Sequence, residues 1–69
     1  MVDTTAAAAV RAEAARAGIT LRELARRLGW THGYLQRRTS GQVPFRVNEL
    51  ERIAAELGVP ITTFVTNAA

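Results

Sequence analysis

Apolar residues recur through the middle of the chain at helical spacing. Leu21, Leu24, Ala25 and Leu28 follow the i, i+3, i+4, i+7 rhythm of a helix with one buried face, with Arg22, Arg26 and Arg27 between them. Thr20 precedes this run as an N-cap, Glu23 stands where a capping box needs it, and Gly29 ends it. Only Trp30 separates Gly29 from Thr31, the cap of a further helix over about residues 32–40. At 100° per residue, this helix puts Tyr34, Leu35 and Arg38 on one side. His32, Gly33, Gln36, Arg37 and Ser40 share the other. Gly41 closes it, and Pro44 keeps the connection from resuming as helix. So short a link forces a sharp angle between two helices, the geometry of a helix-turn-helix over about residues 20–41.

The flanks are helical too. Asp3, Thr4 and Thr5 are candidate caps for an alanine-rich helix whose inward stripe is Val10, Ala14 and Ala17, ended by a left-handed cap at Gly18. Leu50, Ile53, Ala54 and Leu57 mark a fourth helix. It starts with an Asn48–Glu51 capping box or nearer Arg46, and Gly58 and Pro60 close it. Ile61, Phe64 and Val65 predict a short fifth helix over the core, followed by a frayed tail. Nothing reads as a strand, repeat or linker. The expectation is one all-α domain over residues 1–69, a compact bundle of four to five helices.

Composition narrows the function. A chain of 69 residues buries only about 60% of the surface its unfolded form exposes, too little for a deep enzyme cleft. No side chain pairs a nucleophile with a base and no loop cradles phosphate, so no catalytic residue and no enzyme is expected. There is no cysteine and the one histidine is His32, so no metal or cofactor is expected either, and with no room for a separate effector domain no small-molecule ligand is expected. No apolar run approaches the ~20 residues of a membrane span. The alanine-rich start lacks the basic flank and greasy centre of a signal peptide. These features point to a cytoplasmic protein.

The net charge is +3, unevenly spread. From Leu21 to Arg46 stand Arg22, Arg26, Arg27, Arg37, Arg38 and Arg46 against Glu23 alone, whereas Glu49, Glu51 and Glu56 face Arg52 beyond them. A basic block between neutral and acidic ends suggests one positive face turned to an anion, with the three later glutamates turned away. Every basic residue is arginine, so the plainer reading is a solvated surface of an arginine-rich, alanine-rich composition.

Three pieces, in order and at matching separations, carry a resemblance to a known family. Thr20 to Gly29, TLRELARRLG, resembles the first helix of the lambda-repressor/Cro-type (XRE) helix-turn-helix. Thr31 to Leu35, THGYL, resembles the start of its recognition helix, and Leu50 to Val59, LERIAAELGV, the helix that follows. The match runs from about Ile19 to Val65. The stretch YLQRRTSGQVPF is further similar to short regulators of actinobacteria and their phages. The resemblance implies five helices, a recognition helix in the major groove, and control of transcription. It places Ala25 where the two helices cross, Gly29 at a turn that needs a positive φ, and Leu35 as the apolar anchor. Arg38 departs from it by standing where an apolar residue is usual, so either its stem snorkels over the core rim or it pairs with a carboxylate. Gly33 departs by offering no side chain at a base-reading position, which leaves a gap or room for a close backbone approach.

The candidate base contacts are His32, Gly33, Gln36 and Arg37. The candidate phosphate contacts are Arg22, Thr31, Tyr34, Ser40 and Arg46. Arg37 is the leading base reader, because its planar fork matches guanine O6 and N7. Trp30 reads as core or a partly buried wedge. The expected function is sequence-specific binding of a double-stranded DNA operator by a Cro-like or repressor protein. A homodimer, in solution or only on DNA, would make contact near residues 60–65. The alternative is an antitoxin or other protein-binding module on the same fold.

Overall fold

Four helices contribute one side chain each to the centre of the molecule: Val10, Leu24, Leu35 and Ile53. The computed structural model describes residues 2–65. In chain order these form α1 (Val2–Arg16), α2 (Leu21–Leu28), α3 (His32–Thr39), α4 (Val47–Leu57) and a single 3-10 turn (Ile61–Thr63), with no strand among the described residues. Helix α1 packs against α2, α3 and α4, α2 packs against α3 and α4, and the 3-10 turn closes over α4. Leu28, Leu50, Phe64 and the small residues Ala6, Ala14, Ala25 and Ala54 complete the core. Each fully buried leucine or isoleucine stabilises the fold by roughly 1.5–3 kcal/mol. Ala25 is buried between helices, where a longer side chain would push them apart.

The helix-turn-helix forms as its sequence predicts. Thr20 caps α2 by accepting the Glu23 N–H at 3.0 Å. Gly29 takes φ 79°, a left-handed conformation open to glycine without strain. There the Trp30 N–H reaches back to the Ala25 carbonyl at 2.9 Å, and the Gly29 N–H to that of Arg26 at 3.1 Å. This double bond pattern ends the helix and turns the chain. Thr31 caps α3 at once by accepting the Tyr34 N–H at 3.1 Å. Thr31→Ala is expected to cost about 1 kcal/mol of stability, measured as a lower urea midpoint.

Several boundaries differ from the sequence expectation. Helix α1 already runs from Val2, so Asp3, Thr4 and Thr5 lie inside it rather than before it. Its buried stripe is Ala6, Ala7, Val10 and Ala14, while Ala17 is exposed beyond the helix end. In a run of alanines, hydropathy gives no face to choose. The capping box at Thr20 is half formed, because the Glu23 carboxylate binds the guanidinium groups of Arg26 and Arg27. A charge-assisted bond to a guanidinium is stronger than one to a neutral amide. At α4 the box is not Asn48–Glu51. Arg46 is the N-cap, and its backbone N–H donates to Glu49 Oε1 at 2.9 Å. The fifth helix is only the 3-10 turn, and the tail expected to fray after Val65 lies outside the described residues.

Two arginines close open helix ends. The Arg52 Nη2 donates to the Leu28 carbonyl at 2.7 Å, tying α4 to the end of α2. The Arg11 Nη1 donates to the Thr39 carbonyl, tying α1 to the end of α3. The last carbonyls of a helix lack partners inside it and carry its negative end. Both arginines therefore act where a cation is favoured.

Candidate nucleic-acid interface

Helix α3 is held from behind and bare in front. Leu35 and Thr39 are its buried residues, and the Thr39 hydroxyl donates to the Gln36 carbonyl at 3.3 Å. On the flank towards α4, three side chains interlock. The Tyr34 hydroxyl donates to Glu49 Oε2, and the Arg38 Nε donates to Glu49 Oε1 at 3.2 Å. The Arg38 guanidinium also lies 3.7 Å from the centroid of the Tyr34 ring and donates to the Tyr34 carbonyl at 3.1 Å. The pair is well buried, at 11% exposure for the Arg38 side chain and 7% for Glu49. Of the two solutions open to Arg38 in the sequence, the structure has the carboxylate partner.

Glu49 therefore does not share the outward orientation expected of it with Glu51 and Glu56, which are exposed. Burial pushes its carboxyl pKa up, but three hydrogen bonds and the Arg38 charge outweigh burial. The Arg46 N–H, the Tyr34 hydroxyl and the Arg38 guanidinium hold the net value below the ordinary carboxylate range. The same carboxylate raises the Tyr34 pKa, mainly through their hydrogen bond, so the phenol stays a donor. Tyr34 was a candidate phosphate contact. Its single proton instead goes to Glu49, and it serves the interface by fixing α3 to the start of α4.

The remaining candidates sort into adjoining shallow hollows. Gly33, Gln36, Arg37 and Ser40 line one, on the front of α3. Gln42 lines it as well. The loop after α3 folds back to place it, with the Val43 N–H donating to the Arg37 carbonyl at 3.1 Å. Gln42 was missed in the sequence because it lies beyond the helix and outside its periodicity. His32 and Arg22 meet in a second hollow, between the starts of α2 and α3. Arg46 lies in a third, beside Tyr34 and the half-buried Trp30. Trp30 packs at the core rim, its ring centroid 5.0 Å from that of Tyr34, as the wedge reading expects. Thr31 is exposed at the N-terminus of α3, and the Ser40 hydroxyl donates to the Arg37 carbonyl at 3.1 Å.

The charges on this side are not equivalent. Glu23 binds both Arg26 and Arg27, and those hydrogen bonds lower its pKa to about 2. Two of the three arginines of α2 are thus engaged with an acid on the same helix, and Arg22 stands outside that cluster. The front of α3 and its margins therefore present Arg22, Arg37 and Arg46, all exposed, among neutral hydrogen-bonding groups. No group of three or more possible metal ligands occurs among the described residues. No described helix is long and apolar enough to cross a membrane.

Comparison with known proteins supports the same assignment from a different direction. A family model described as helix-turn-helix matches residues 10–64, from the middle of α1 through the 3-10 turn. No curated protein and no solved structure shows significant similarity. The matched span holds the whole core except the first turns of α1, and both capped helices of the motif. The chain belongs to the helix-turn-helix family, of the lambda-repressor/Cro type, whose members are DNA-binding regulators.

Proposed function

We propose that this chain is a sequence-specific transcriptional regulator, a Cro-like or repressor protein of a bacterium or phage that acts in the bacterial cytoplasm. It inserts α3 into the major groove of an operator and excludes polymerase by occupying the site. The observation that carries this reading is the exposed Gln36 and Arg37 on a helix whose other side is locked by Leu35, Thr39 and the Tyr34–Arg38–Glu49 network, with the exposed Ser40 and Gln42 just beyond its end lining the same hollow. A rigid helix with a polar and cationic front has the groups that read base edges. His32, the Gly33 backbone, Gln36 and Arg37 face the bases, while Arg22, Thr31, Ser40 and Arg46 face phosphates on either side.

The molecule's longest dimension is 33 Å, close to one turn of B-DNA at about 34 Å. One copy therefore reads only one face of a turn, and two copies on a two-fold site supply the specificity. Their contact is placed near residues 60–65. Phe64 there is spent on the core, but Pro60 and Val65 are exposed.

Selection of bound fragments from random duplex DNA tests this reading. The expected result is one enriched site with two related halves about one helical turn apart. Recovery of unenriched DNA would overturn it. Arg22→Ala is expected to weaken binding to selected and random duplexes alike and to lower the slope of log K against log salt by about 1. Gel-shift titration at several salt concentrations measures both.

A further inference from the structure

Residue 33 stands on the front of α3 without a side chain, and Arg37 occupies the space beside it. A Cβ placed on Gly33 would lie 3.5 Å from the Arg37 Nη1. Side chains on a helix lean towards its N-terminus and cover the turn before their own Cα. The Arg37 guanidinium accordingly lies along the first turn of α3, against bare backbone.

Nothing in the backbone asks for glycine at this position. Gly18, Gly29, Gly41 and Gly58 have positive φ, and Gly33 does not. Inside a helix of eight residues, glycine is the poorest helix former after proline. What it supplies here is room.

We propose that Gly33 is a specificity-determining position that acts through Arg37. By leaving the first turn bare, it lets one guanidinium reach the base pair that faces the N-terminal end of α3. That end lies nearest the base edges when such a helix enters the groove. One arginine then reads where two side chains would otherwise compete, and its fork suits the O6 and N7 of guanine. The proposal rests on the reading of α3 as the recognition helix. It replaces the gap left at residue 33 with a positioned reader.

The test compares base preferences of the wild type, Arg37→Ala, Gly33→Ala, Gly33→Leu and Gly33→Gln, each selected on random duplex DNA and then titrated. Gly33→Ala puts its Cβ at ordinary contact distance from the guanidinium, so it isolates the gain in helix propensity and melts a few degrees higher, about 4 °C. Gly33→Leu and Gly33→Gln fill the volume that the guanidinium uses. Both lose preference at the same base position as Arg37→Ala, and adding Arg37→Ala to either changes that position no further. Circular dichroism confirms that each variant is folded. If the folded leucine and glutamine variants keep the wild-type preference, or lose it at a different position, the proposal is overturned alone. A wild type without any base preference overturns the operator reading and this proposal with it.

Discussion

Glu49→Ala is expected to remove most of the stability of this fold. A domain of this length has roughly 0.05–0.15 kcal/mol of stability per residue, which is about 3–10 kcal/mol in all. Removing one partner of a buried ion pair costs about 3–5 kcal/mol, because the other charge stays buried and unpaired. Here Arg38, at 11% side-chain exposure, would be that charge. The same change takes the acceptor from the Tyr34 hydroxyl and from the Arg46 N–H that opens α4. Urea unfolding followed by circular dichroism measures the loss. The double variant Arg38→Met with Glu49→Leu should recover much of it, since it removes both charges and fills the space. A double variant no more stable than Glu49→Ala would mean that the ion pair is not the source of the effect.

The network also gives the fold an acid limit. Glu49 has a lower pKa folded than unfolded, so its contribution is complete above the ordinary carboxylate range. That contribution is lost as the pH falls through the folded value. Glu23, lowered from 4.5 to about 2, acts in the same direction over that interval, weakened by its exposure to solvent. Stability should therefore fall with decreasing pH below about 4.5. Glu49→Gln should flatten that fall while lowering stability at neutral pH.

Arg37→Ala is expected to have the largest effect on binding with the fold intact. Arg37 is exposed and its guanidinium has no acid partner among the described residues, so its removal leaves the core unchanged. A bidentate contact to guanine is worth about 1–3 kcal/mol of discrimination, or roughly 5- to 150-fold in affinity for the selected site. Affinity for random DNA should fall much less, by the value of one cation near phosphate. The contrast with Arg22→Ala is the informative part, because that variant should weaken both kinds of site in equal proportion. Equal losses from Arg37→Ala on both kinds of duplex would reassign Arg37 to the backbone.

The parts of the fold that are local in sequence were legible there. The stripe of Leu24, Ala25 and Leu28, the caps Thr20 and Thr31, and the turn at Gly29 each depend on residues within one or two turns of one another. The front of α3 was legible for the same reason, since helical periodicity alone puts Gly33, Gln36, Arg37 and Ser40 together. What escaped depends on residues brought together by packing. Tyr34 and Arg38 meet Glu49 only because the fold brings the first turn of α4 beside α3, and 15 and 11 residues of chain separate them. That contact turned Tyr34 from a candidate phosphate ligand into a brace, and Glu49 from a surface acid into the centre of a network. Arg11 and Arg52 close helix ends 28 and 24 residues away along the chain, which no local pattern shows. Gln42 reached the front of α3 through a loop that periodicity does not describe.

The central claim is that the front of α3 distinguishes one base sequence from another. Equilibrium titration of the wild-type protein with its selected duplex, and with the same duplex scrambled, tests it most directly at one fixed salt concentration. The account predicts that the selected duplex binds tighter by about a thousandfold or more. It also predicts that this ratio falls by roughly 5- to 150-fold in Arg37→Ala. Equal affinity of the wild type for the two duplexes would contradict it.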